Sequence, residues 1–148
     1  MLGILTKAAL ALAAFETIMW ARRRARRQTV FQQAQARAQL LGRPLVVIGA
    51  PDGGVTSGYA CGDVTIDLAP SSCPNALQAD ITQRTPFADN SVVVFVSCVL
   101  EYVNDHNAAL AEIQRISGGQ AFYCGVEPMT ATAYLYPGAK RTLPARYR

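Results

Sequence analysis

"PLVVIGAPDGG", residues 44–54, is an apolar run that stops at Gly49 and passes at once into a glycine-containing loop. A buried strand opening onto such a loop begins doubly wound α/β domains, where ligands sit beyond the strand's carboxyl end. Downstream, the same alternation continues. "DVTIDL" (63–68) reads as a second strand ending on Asp67, and "NALQADI" (75–81) as a third ending near Asp80. "SVVVFVSCVL" (91–100) is an almost unbroken apolar run, as in a strand buried on both faces. "NDHNAALAEIQRISGG" (104–119) follows as a helix: Asn104 or Asp105 caps it, Leu110, Ile113 and Ile116 face inward, and Gly118-Gly119 end it. "QAFYCGVEP" (120–128) is a fifth strand, and Met129–Tyr136 alternates as one more before the Pro137-Gly138 turn. Strands separated by crossovers predict a mostly parallel α/β sheet.

Upstream of this domain the sequence changes character. Leu2 to Trp20 is apolar except for Thr6, Lys7, Glu16 and Thr17. As a helix, this segment would reach roughly 28 Å, close to the hydrocarbon thickness of a bilayer. Trp20 falls where an interfacial aromatic belongs, and Arg22, Arg23, Arg24, Arg26 and Arg27 follow it. A cleaved signal peptide carries its charge before the apolar run, whereas here the charge comes after it. The segment therefore predicts a single-pass membrane helix, N-terminus out and domain on the cytoplasmic side, with Trp20 and the five arginines flanking the membrane; the alternative is an amphipathic helix lying on the membrane or buried against a partner subunit. Residues 28–42 continue as helix, with Val30, Phe31, Ala34, Ala38 and Leu41 in an apolar stripe. The expected organisation is a membrane helix with basic flank (1–27), a connecting helix (28–43), the α/β domain (44–139) and a basic tail (140–148).

Charge is partitioned in the same way. Residues 1–44 hold eight basic side chains and one carboxylate, residues 45–139 two and nine, and residues 140–148 four basic ones. The domain itself is acidic, which argues against specific nucleic-acid binding. Cys61, Cys73, Cys98 and Cys124 show no metal-ligand spacing, so no metal site is assigned. Cys61 and Cys73 lie in loops and could meet, but a reducing compartment with free thiols is the expectation. The only histidine, His106, falls at a helix start and is read as exposed.

Residues 79–119, "ADITQRTPFADNSVVVFVSCVLEYVNDHNAALAEIQRISGG", resemble the central segment of class I S-adenosylmethionine-dependent methyltransferases. The shared features are Asp80 after strand three, Pro86, Phe87, Asp89 and Ser91 before strand four, Val99-Leu100-Glu101 after it, and the terminal Gly118-Gly119. Less tightly, the resemblance covers residues 44–127. It implies a reduced Rossmann-like methyltransferase fold. It further implies that Gly49, Pro51 and Gly53 form the loop under the cofactor's methionine and ribose, and that Asp67 accepts the ribose hydroxyls. Asp80 and Ile81 would border the adenine, and Ser97 would lie beneath the reacting methyl.

The departures from that pattern concentrate at the loop. Pro51 fixes φ and removes an N–H where the family favours glycine. Ile48 stands where the family often has a carboxylate, and Tyr102 where it often has histidine. Only eight residues, "VTSGYACG", separate Gly54 from Asp63, and a crossover needs roughly ten to a dozen. The first crossover helix is expected to be stunted or absent, and "APSSCP" (69–74) leaves little room for a second. Parallel sheets need both faces covered, so partner subunits are expected over the bare ones. The reading that follows is a membrane-anchored structural or assembly subunit of a larger membrane complex or virion, on a non-catalytic domain without bound cofactor. The alternative is an active membrane-anchored methyltransferase using S-adenosylmethionine. No catalytic residue is assigned.

Overall fold

The computed structural model describes residues 2–51, 57–125 and 144–147. Each apolar run between turn residues becomes a short parallel strand: β1 (Leu45–Ile48), β2 (Val64–Asp67), β3 (Ala76–Gln78), β4 (Val93–Ser97) and β5 (Ala121–Cys124). They form one sheet in the order β3-β2-β1-β4-β5, every neighbouring pair parallel. From β1 the chain steps outward to β2 and β3, then returns to place β4 on β1's other side. That reversal leaves a crevice at the carboxyl ends of β1 and β4, the switch point of a doubly wound sheet. The continuous apolar runs of β1 and β4 are buried along their whole length.

Helix α2 (His106–Ser117) joins β4 to β5. Asp105 caps it by accepting a hydrogen bond from Ala108 N at 2.9 Å, and Gly118 ends it in the left-handed conformation at φ 58°. Ala109, Ile113 and Ile116 pack on Val94, Val96, Val46 and Ile48, covering one face of the sheet. Beneath α2, Glu112 Oε1 accepts from Thr85 N at 2.7 Å and from its hydroxyl at 2.6 Å. Arg115 bonds both Glu112 oxygens, at 2.6 and 2.8 Å, and Asp89 Oδ1 at 2.6 Å. This clasp ties the loop before β4 to the helix after it.

The other face is covered from upstream. Helix α1 (Leu2–Leu41) runs unbroken for 40 residues, so the anticipated membrane helix and connecting helix are one element. Its C-terminal half sinks Phe31, Ala34 and Ala38 between Leu45, Val47, Val93, Phe95 and Cys124. Arg37 Nε, donating to Gln120 Oε1 at 2.7 Å, fixes it to the start of β5. The N-terminal half leaves the domain: Ile4, Leu5, Leu10, Leu12 and Ile18 are all more than half exposed. Among the described residues one helix is thus long and apolar enough to cross a membrane, and its apolar segment is not buried by them.

Over β1, β4 and β5 this second face is closed by α1, with the Tyr59 ring tilted against those of Phe31 and Phe95, 6.2 and 5.1 Å away between ring centres. Of the crossover between β1 and β2, residues 49–51 and 57–63 are described, and none of these is helical. Cys61 and Cys73, expected as free thiols, form a disulfide with Cα atoms 5.7 Å apart. The reason is lateral. Each cysteine lies three residues before its strand, and β2 and β3 are parallel neighbours, so the two approaches to the sheet run side by side. The strand anticipated at Met129–Tyr136 lies outside the described residues.

Candidate functional site

After Ile48 the chain turns over the end of the sheet at Gly49, whose φ is +92°. A Cβ there would stand 2.5 Å from Ser97 O and 2.8 Å from Val99 Cγ2, so only glycine fits against β4. Gly49 N donates to Ile66 O at 2.9 Å. Ala50 N donates to Asp67 Oδ2 at 2.8 Å. The Tyr59 hydroxyl donates to the Gly49 and Ala50 carbonyls, 3.2 and 3.1 Å away. The turn is therefore held from β2 below and from Tyr59 above.

Asp67 Oδ1 accepts from Ala69 N at 2.9 Å. An ionised carboxylate offers about four acceptor positions, so two backbone amides leave capacity for a ligand's hydroxyls. Asp80 shapes the end of β3, its Oδ1 accepting from Thr82 N at 2.8 Å and its carbonyl from Gln83 N at 2.9 Å. At the end of β4, Ser97 is 3% exposed. Its Oγ has no partner of hydrogen-bonding geometry among the described residues, although the Cys98 thiol is close enough to feel it.

These strand ends surround a cleft of about 530 Å³, within the roughly 300–1,000 Å³ typical of small-molecule sites. Gly49, Asp67, Asp80, Ile81 and Ser97 all line it. Of the other loop residues named from the sequence, Pro51 lies just past the lining turn, and Gly53 is outside the described residues.

The roof of the cleft was not anticipated. Trp20, Arg23, Arg24 and Arg27 of α1 line it, while Arg22 and Arg26 lie outside the lining and are exposed. The spacing 20-23-24-27 is one helical face, and it runs on directly into the Phe31-Ala34-Ala38 stripe buried on the sheet. Extending that stripe toward the N-terminus would have found it. The arginine run already had an explanation as a membrane flank, which concealed the second one. Arg27 Nη2 donates to Cys98 Sγ at 3.0 Å. Cys98 holds a strained φ of 51° at the cleft wall. Burial raises its thiol pKa more than Arg27 lowers it, so the thiol stays protonated at neutral pH and is a poor nucleophile.

A cleft at the switch point, with carboxylates near the ends of β2 and β3 and a glycine turn ending β1, is the architecture of a Rossmann-like α/β domain. The family model described as "Methyltransferase domain" matches residues 48–123, just over half of the 148-residue chain. The chain belongs to that family. No curated protein and no solved structure matches it.

Proposed function

We propose that this chain is a membrane-anchored methyltransferase-family protein whose cleft binds S-adenosylmethionine or its demethylated product. The observation that carries the reading is convergence. Asp67, Asp80 and the buried Ser97 Oγ face one cleft of cofactor size beside a turn that only glycine can make. They stand at the carboxyl ends of neighbouring parallel strands, where α/β domains hold their ligands. Asp67 and Asp80 would hold the adenosine half, and Ser97 and the Gly49 turn the methionine half. When bound, the cofactor supplies an electrophilic methyl group. The chain's own part is positioning and exclusion of water, which needs no general base.

A second reading, an assembly subunit that retains the fold alone, draws on Pro51 and on the absence of a helix among the described residues between β1 and β2. We place residues 2–20 across a bilayer. The five arginines support a domain on the cytoplasmic side, and the Cys61–Cys73 disulfide is the observation against that sidedness.

The deciding experiment is calorimetric titration of the full chain, in an uncharged detergent, with S-adenosylhomocysteine. Micromolar binding, weakened at least about tenfold by Asp67→Ala, is expected from loss of a charged acceptor. Absence of heat at millimolar ligand, from a sample that melts cooperatively, would establish the assembly reading instead.

A further inference from the structure

We propose that the Cys61–Cys73 bridge is a reversible exchange site for a glutathione-type thiol, holding the loops that wall the cleft when closed and releasing them when open. Cofactor affinity follows the state of the bridge. This rests on the proposed cofactor cleft and on the proposed cytoplasmic placement of the domain.

The first support is position. Ser57 and Tyr59 line the cleft just before Cys61, and Asp67 and Leu68 line it inside the ring that the bridge closes. That ring contains the whole of β2, with Asp67 at its end. The Asp67 carboxylate accepts from Ala50 N and Ala69 N. Two residues before Cys61, the Tyr59 hydroxyl donates to the Gly49 and Ala50 carbonyls. The bridge therefore links the two segments that hold the Gly49–Ala50 turn. On the β4–β5 side a crossover helix orders the chain, whereas the β2–β3 connection has none. There the covalent link takes over that work. Once it opens, a ligand must order the loops as it binds, and its affinity falls by that cost.

The second support is compartment and reach. Arginines after the apolar helix favour the side of the membrane where glutathione keeps thiols reduced. Disulfides that do form there are transient, catalytic or redox-sensing. A bridge set on a ligand cleft meets that description and reconciles the arginines with the disulfide. Cys61 is half-buried and Cys73 is 8% exposed, while Ala60, Ser72 and Pro74 beside them are exposed. The more open sulfur, Cys61 Sγ, is the one an incoming thiolate attacks. The S–S bond breaks, and Cys73 leaves as a thiolate that takes up a proton. A second glutathione thiolate then attacks the glutathione sulfur of the mixed disulfide and releases Cys61. Two glutathione thiols are oxidised to one disulfide, and the protein's disulfide is reduced to two thiols.

The test equilibrates the full chain, in an uncharged detergent, with mixtures of reduced and oxidised glutathione. Alkylation and mass spectrometry give the bridged fraction, and S-adenosylhomocysteine is titrated by calorimetry. The reduced chain is expected to bind at least about tenfold more weakly than the bridged one, with recovery on reoxidation. Cys61→Ser with Cys73→Ser should bind as the reduced chain does and ignore glutathione. A response that persists in that variant would assign the effect to Cys98 and overturn the proposal. Equal affinity of the two forms would also overturn it, as would a bridge that millimolar reduced glutathione leaves closed. A reduced chain that no longer melts cooperatively would make the bridge a structural staple and nothing more. Hydrogen exchange separates this proposal from the cofactor reading. On reduction, amides of residues 45–51 and 57–69 should exchange faster while those of α2 do not. If the bridged chain binds no S-adenosylhomocysteine, the cofactor reading fails, and that exchange pattern alone decides whether the bridge holds the cleft loops. Uniform or absent change would overturn it.

Discussion

The two sides of the sheet solve one problem by different means. Between β4 and β5 the chain supplies a crossover helix of its own, capped by Asp105 and Gly118 and packed through Ala109, Ile113 and Ile116. Between β1 and β2, and between β2 and β3, the described chain offers loops, a disulfide and Tyr59. The face those loops cannot cover is taken by α1, which arrives from outside the domain and continues beyond it as an exposed apolar helix. The apolar helix and the sheet it covers are consequently continuous in structure. Cutting the chain between them would uncover Leu45, Val47, Val93 and Phe95 and remove one wall of the cleft.

Substitutions can break this comparison, the largest effect first. Phe95 is fully buried where Phe31 of α1 and Tyr59 of the loop meet, with ring centres 5.3 and 5.1 Å away. Phe95→Ala should destabilise the protein by about 3–5 kcal/mol in denaturant unfolding. Leu12→Ala, on the exposed half of the same helix, should change domain stability by less than about 0.5 kcal/mol in detergent. Equal effects would mean that α1 is a mere tether.

Next comes the staple. Reduction of Cys61–Cys73, or Cys61→Ser with Cys73→Ser, should cost about 3 kcal/mol, read as a lower melting temperature in the presence of reductant. No loss would show that Tyr59 and α1 alone hold the loop side. Alkylation of membrane preparations before and after reduction also addresses sidedness, because a pair found reduced in cells fits the cytoplasmic placement.

The complete side has a pH signature. Bonds from Arg115 and Thr85 hold the Glu112 carboxyl down at about 2, below its ordinary 4.5. Since the folded value is the lower one, this stabilisation is whole above about pH 5 and is lost as pH falls toward 2. Glu112→Gln should flatten that part of the acid-unfolding profile, with an effect below that of the disulfide because the clasp lies near solvent. An unchanged profile would remove Glu112 from the account. Among the contacts inside the domain the smallest loss is that of the cap: Asp105→Ala should cost about 1 kcal/mol, measured by the same unfolding assay.

What was legible in the sequence follows the same division. The β4–α2–β5 side could be read because its signals are local: a run of Val and Phe, an aspartate cap, paired glycines. On the loop side the decisive facts are lateral. Cys61 meets Cys73 only because β2 and β3 are neighbours in the sheet, and no spacing in the chain states that. Asp67, Asp80 and Ser97 could be nominated from their places at strand ends, and all three line one cleft. The roof was missed for a physical reason. Arginines after an apolar helix satisfy the membrane explanation completely, so the helical face shared by Trp20, Arg23, Arg24 and Arg27 was never sought.

The most direct test of the account is Trp20 emission while the full chain is titrated with S-adenosylhomocysteine. If the cleft holds the cofactor and α1 roofs it, the emission changes saturably at micromolar ligand and no longer does so in Asp67→Ala. Cofactor binding by calorimetry with unmoved Trp20 emission would contradict the roof. No binding by either readout, from folded protein, would contradict the site itself.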